Sequence, residues 1–60
     1  MPSDELLTAD EVAAMLRIKP ATIRKWRAER RIPFVKLNGA VRFKRADIEK
    51  WIDERVVEAI

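Results

Sequence analysis

Guanidinium and ammonium groups dominate the chemistry this sequence can offer, and they are bunched. Eleven of its thirteen Lys and Arg residues lie between Arg17 and Arg45, where Glu29 is the single acid. The middle of the chain therefore carries an excess of about ten positive charges, although the 60 residues together have a formal net charge of only +3. The compensating carboxylates sit on the flanks. Asp4, Glu5, Asp10 and Glu11 precede the block, and Asp47, Glu49, Asp53, Glu54 and Glu58 follow it. A basic block inside a chain patterned for folding is the electrostatic footprint of a polyanion-binding surface. A solvated basic face with no ligand is the plainer alternative.

Other chemistries are poorly supplied. The chain has no His and no Cys. It lacks the commonest general base and the strongest common nucleophile, so catalysis is not expected. Disulfides and the usual zinc sites are excluded for the same reason, and no cofactor is expected. The acids fall among basic neighbours on helix surfaces, as solvated side chains do. The acidic N-terminus lacks the basic, apolar pattern of a secretory leader, and no apolar run approaches a membrane span. A cytoplasmic location away from membranes is the expectation.

Sixty residues imply one domain, read here as 1–60 with a core over about 6–55. A domain of this size buries only about 60% of its unfolded surface. Its core must come from apolar side chains alone: Leu6, Leu7, Val12, Met15, Leu16, Ile18, Ile23, Trp26, Ile32, Phe34, Leu37, Val41, Phe43, Ile48, Trp51 and Ile52.

Thr8-Ala9-Asp10-Glu11 reads as a capping box opening a helix to about Leu16, with Val12, Ala13 and Leu16 on one face. Pro20 suits the first position of a second helix, over 20–29, with Ile23 and Trp26 inward. Only Arg17-Ile18-Lys19 separates the two, the spacing of a helix-turn-helix with Ile18 plugging the corner. Residues 34–37 and 41–43 are strand-like about Asn38-Gly39, a hairpin signal. Two registers are open. A two-residue Asn38-Gly39 turn pairs Leu37 with Ala40 and puts Lys36 on the face of Val41. A three-residue loop gathers Val35, Leu37, Val41 and Phe43 on one face and sets Lys36 opposite Arg42 on the outer one. Burial of an apolar face normally decides register, so the three-residue loop is preferred. From Ala46 the helical period returns, with Ile48, Trp51 and Ile52 on one stripe and a weak continuation to Val56. The apolar residues 56–60 prolong that helix, cover the core or mark where a longer protein was cut. The fold class is small α+β and mostly helical, a winged helix-turn-helix of three helices and a two-stranded wing.

These elements place the basic residues. At 100° per residue, Ile23 and Trp26 inward leave Ala21, Lys25 and Ala28 outward, flanked by Thr22 and Arg24. Arg27 lies nearer the buried side and is expected to snorkel. A helix seated in a major groove presents such an outer face to base edges. Lys25 is the one central residue able to make a strong polar base contact, while Thr22 and Arg24 suit phosphates, which position without specifying. Lys36 and Arg42, followed by Lys44 and Arg45, suit a wing on the backbone or minor groove. The plainer role of these charges is to keep an exposed two-stranded sheet from pairing with another chain. The candidate DNA-contacting set is Lys19, Ala21, Thr22, Arg24, Lys25 and Ala28 on the second helix, with Lys36, Asn38 and Arg42 on the hairpin.

The ordered set Leu6-Leu7-Thr8-Ala9-Asp10-Glu11-Val12-Ala13, Pro20-Ala21-Thr22-Ile23-Arg24-Lys25-Trp26, Ile32-Pro33, Val41-Arg42-Phe43 and Asp47-Ile48-Glu49-Lys50-Trp51 resembles the excisionase-type helix-turn-helix domain. That family is related to the DNA-binding domain of MerR-type regulators, and the resemblance covers about residues 6–52. It implies a small winged helix-turn-helix that binds bacterial or phage duplex DNA, as a recombination directionality factor beside an integrase or as a transcription regulator. It also implies major-groove entry by the second helix and minor-groove contact by the wing. The family often has Gly, Ser and Gly where this chain has Arg17, Lys19 and Arg30, so a missing cap and two left-handed arginines are expected. Ala28 stands where a basic residue is usual. The partners implied are double-stranded DNA and an integrase, RNA polymerase or further copies of the chain. The alternative is a protein-interaction module whose basic face docks an acidic partner.

Overall fold

The structure is a computed structural model and describes residues 5–58. Its first helix, α1 (Ala9–Leu16), begins at the capping box read from the sequence. The Thr8 N–H donates to Glu11 Oε1 at 2.8 Å and the Glu11 N–H donates to Thr8 Oγ1 at 3.1 Å. Two orphan donors are thus satisfied at the end where the helix dipole favours the carboxylates of Asp10 and Glu11. The helix stops at Arg17, whose φ of 57° is left-handed. Arg17 N–H donates to the Ala14 carbonyl and Ile18 N–H to that of Ala13, the paired bonds of a Schellman turn.

Helix α2 (Pro20–Ala28) has Pro20 in its first turn and Lys19 as an N-cap that makes no side-chain bond. It ends one residue short of the predicted Glu29. Arg30, at φ 58°, closes it with a second Schellman turn: Arg30 N–H to the Arg27 carbonyl at 3.0 Å and Arg31 N–H to that of Trp26 at 2.8 Å. Both left-handed arginines and the missing cap agree with expectation.

Strands β1 (Leu6–Leu7), β2 (Val35–Leu37) and β3 (Ala40–Lys44) form one antiparallel sheet in the order β1-β3-β2. The third strand, β1, is an addition to the predicted hairpin. The hairpin register differs from the preferred one. Leu37 pairs with Ala40, Lys36 with Val41 and Val35 with Arg42, so the connection is the two-residue Asn38-Gly39 turn. Asn38 at φ 46° and Gly39 at φ 90° are both in the positive region, as a type I′ turn requires. That turn matches the twist of the flanking strands, and its geometry outweighs the gain from gathering four apolar residues on one face.

The consequences are specific. Cross-strand partners share a face, so Lys36 lies on the side of Val41 and buried Phe43, while Arg42 lies on the other side with Leu37 and Lys44. They do not share an outer face. Leu37 is left 49% exposed and Leu6, on the face of its partner Lys44, 42% exposed, although both were assigned to the core.

Helix α3 (Arg45–Asp53) follows β3 without a loop. Its first turn is tied to the N-terminal segment by the Arg45 N–H to the Glu5 carbonyl at 3.0 Å and by an Arg45–Glu5 ion pair at 2.8 Å. The core is Leu7, Val12, Ala13, Ile23, Ile32, Phe43 and Ile48, ringed by half-buried Met15, Leu16, Ile18, Trp26, Phe34, Val41, Trp51 and Ile52. The helix does not continue to Val56. Val56 and Val57 are exposed rather than covering the core, Val57 by 92%, and Ala59 and Ile60 lie outside the described residues.

Candidate nucleic-acid interface

Helix α2 lies against α1 through Ile23, and the opposite side of its cylinder is open. Ala21, Lys25 and Ala28 are all exposed, as the helical wheel requires. The Lys25 ammonium makes no hydrogen bond or ion pair among the described residues, and neither does that of Lys19 at the N-terminal edge. The one acid beside this row is Glu29 at the C-cap, four residues after Lys25, and its carboxylate pairs with Arg31 at 3.3 Å. Thr22 is half-buried. Arg24 projects toward α1, where its guanidinium meets the Asp10 carboxylate at 2.9 Å. Arg24 therefore ties the two helices together as well as flanking the outer face. The pair is solvent-exposed and worth at most about 1 kcal/mol, which a phosphate can readily displace. Arg27 sits half-buried with its guanidinium 5.8 Å from the Phe34 ring centroid, the snorkelling position expected of it.

The hairpin contributes from two faces. Lys36 and Asn38 are exposed at β2 and the turn, and Lys44 is exposed at the end of β3. Arg42 is half-buried, its Nη1 donating to the Val41 carbonyl at 2.7 Å. Its positive charge also acts weakly on Glu11, whose pKa is held below the ordinary carboxylate value chiefly by the two Thr8 bonds. Arg45 is pushed up by its bond to Glu5. Of the candidate set, Lys19, Ala21, Lys25, Ala28 and, at its edge, Arg24 are brought together along one side of α2. Lys36 and Asn38 share the hairpin tip, while Arg42 stands apart on the other face of the sheet.

A second cluster went unread in the sequence. Trp26 and Trp51 pack against each other across α2 and α3, with ring centroids 5.7 Å apart and planes tilted by 48°. Both are half-buried, so they close the core edge rather than filling its centre. The Trp51 indole N–H donates to the Arg31 carbonyl at 2.8 Å, and the Arg55 guanidinium lies 4.2 Å from the Trp51 centroid. The signal available was the i, i+4 spacing of Trp51 and Arg55, which puts an aromatic ring and a cation on one helix face.

Two turn-linked helices, an exposed row on the second whose lysine is unpaired among the described residues, and a basic hairpin beside them make a surface suited to a polyanionic groove. A family model described as "Helix-turn-helix domain" matches residues 6–56. No curated protein and no solved structure matches the chain. The family match spans all six elements of the fold, and the chain belongs to this helix-turn-helix family of DNA-binding domains.

Proposed function

We propose that this protein binds duplex DNA with sequence preference, α2 entering the major groove and the β2–β3 wing lying on the adjacent backbone or minor groove. The observation that carries the reading is the row Ala21, Lys25 and Ala28, exposed, with the Lys25 ammonium unpaired among the described residues, and backed by Ile23 in the core. Lys25 is the base-reading residue, with Ala21 and Ala28 close enough to the groove floor to meet thymine methyls. Lys19, Thr22, Arg24, Lys36, Asn38 and Arg42 supply phosphate and groove-wall contacts, so affinity comes mainly from counterion release. The role is that of a recombination directionality factor or a transcription regulator without catalysis of its own. One module with a single strong base-reading side chain is only modestly selective. An integrase, RNA polymerase or adjacent copies on the DNA supply the rest.

Gel shift or anisotropy with a duplex across a salt series tests this. If about five Lys or Arg side chains neutralise phosphates, log affinity falls against log salt with a slope near −4 to −5. A slope shallower than about −1.5 means that the basic block is not the DNA surface.

A further inference from the structure

Two half-buried tryptophans and three arginines border one recess at the edge of the core. Trp26 from α2, Trp51 and Arg55 from α3 and its end, and Arg30 and Arg31 from the turn after α2 line a shallow cavity of about 470 Å³. That volume is within the range in which proteins seat a ligand or a large side chain. The indoles are tilted, not stacked flat, and Trp51 is fixed by its bond to the Arg31 carbonyl. Arg55 is held over Trp51 by its own bond to the Trp51 carbonyl at 3.1 Å. The recess therefore has a preformed apolar floor.

Its rim is cationic and weakly committed. The Arg31–Glu29 and Arg55–Glu54 pairs are exposed, at 3.3 and 3.9 Å, and the Arg30 guanidinium has no acid partner among the described residues. Exposed pairs this loose contribute little and yield readily to a better carboxylate. Around α2, Trp26 stands about 100° from Lys25 and about 140° to 160° from Ala21 and Ala28. The recess is thus turned away from the row assigned to DNA.

We propose that this recess docks an acidic peptide segment of a partner protein. One large apolar side chain of the segment enters against Trp26 and Trp51, and its flanking carboxylates meet Arg30, Arg31 and Arg55. Charge complementarity selects the occupant, since three guanidiniums around an apolar floor match carboxylates around an apolar side chain. Trp and Arg are also the residues that dominate protein–protein contacts when truncated. A nucleic-acid base fits less well, because rings tilted by 48° offer no open parallel platform.

Both tryptophans of the chain line the recess, so intrinsic emission reports on its occupancy, and the Arg55 variant ties the signal to this side of Trp51. The probe is an acetylated, amidated pentapeptide with one Phe between two pairs of acidic residues, titrated at physiological salt. A saturable emission shift is expected. The same peptide with Ala for Phe should bind at least about fivefold more weakly, the loss of one buried aromatic contact. Arg55→Gln should weaken the Phe peptide by about fivefold, while the domain remains folded at the assay temperature and duplex-DNA affinity at physiological salt falls by less than about twofold. Equal binding of the two peptides, no loss in Arg55→Gln, or no saturable shift overturns the proposal. So does a single-stranded thymidine oligomer that gives the same Arg55-dependent shift at higher affinity than the peptide, because the recess would then be a base-binding site.

Discussion

Arg17 and Arg30 hold left-handed backbone at φ 57° and 58°, a conformation in which a Cβ crowds the following carbonyl oxygen. Glycine escapes that crowding, so Arg17→Gly and Arg30→Gly should each stabilise the domain by up to about 1 kcal/mol. Lys19 caps α2 with its backbone only, and Lys19→Ser should add a side-chain cap worth about 1 kcal/mol. In a 60-residue domain each such change raises the melting point by about 4–8 °C per kcal/mol. Thermal denaturation of the three variants measures this, and lower DNA affinity at low salt is expected alongside, because each change removes a positive charge. If none melts higher, these turns are not strained. Glu11 sets a second test. Its folded pKa lies below the ordinary value of 4.5, first because the carboxylate accepts the Thr8 backbone N–H and next because the Thr8 hydroxyl is also within hydrogen-bonding reach of it. A depressed carboxylate contributes stability that is complete above the ordinary value and lost as pH falls through the folded one. Glu11→Gln keeps an acceptor but cannot titrate, so its melting point should drop less than that of the parent between about pH 5 and pH 3. Equal drops would assign the acid sensitivity to other carboxylates.

Helix starts were legible because their chemistry is local, Thr8 to Glu11 for α1 and Pro20 for α2, whereas the left-handed exits at Arg17 and Arg30 were implied by the family resemblance alone. The inward stripe of Ile23 and Trp26, and that of Ile48, Trp51 and Ile52, followed from the helical period. Register was not legible, because two local rules compete in the hairpin. Alternation favoured placing Val35, Leu37, Val41 and Phe43 together, whereas Asn38-Gly39 favoured a two-residue turn, and the turn won at the cost of exposing Leu37. Strand β1 was hidden for another reason. Leu6–Leu7 is two residues long, and its pairing with Phe43 and Lys44 is remote in sequence. The turn's importance is testable. Gly39 has φ 90° with open space where a Cβ would sit, so Gly39→Ala is opposed by backbone conformation and not by a clash. It should destabilise the domain by about 1–2 kcal/mol, whereas Asn38→Gly should be neutral within about 0.5 kcal/mol. Denaturant melts of both variants decide this. A Gly39→Ala protein as stable as the parent would mean that the hairpin tolerates another turn.

Across the whole molecule, charge and shape divide the surface between two readings. The acids at the start of α1 and along α3 leave the outer row of α2 and the hairpin tip positive, and that partition was visible in the sequence as a basic block between acidic flanks. What the one-dimensional pattern concealed is that the block wraps the molecule: Lys25 and Lys36 belong to different elements from the Arg30–Arg31–Arg55 recess, and Arg42 stands on the far face of the sheet from Lys36. If α2 reads bases and the wing only grips, truncations should fail in different ways. Lys25→Ala removes the single polar group on the outer row and should cost roughly 1–3 kcal/mol on a preferred site with little effect on random duplex. Lys36→Ala and Arg42→Ala should weaken preferred and random duplexes about equally, each making the salt slope shallower by about 1. A preferred site selected from a randomised pool, followed by titration of the three variants on that site and on random sequence, separates the roles. Should Arg42→Ala alter selectivity while Lys25→Ala does not, the hairpin is the reading element and α2 the grip, and the assignment of groove entry to α2 fails.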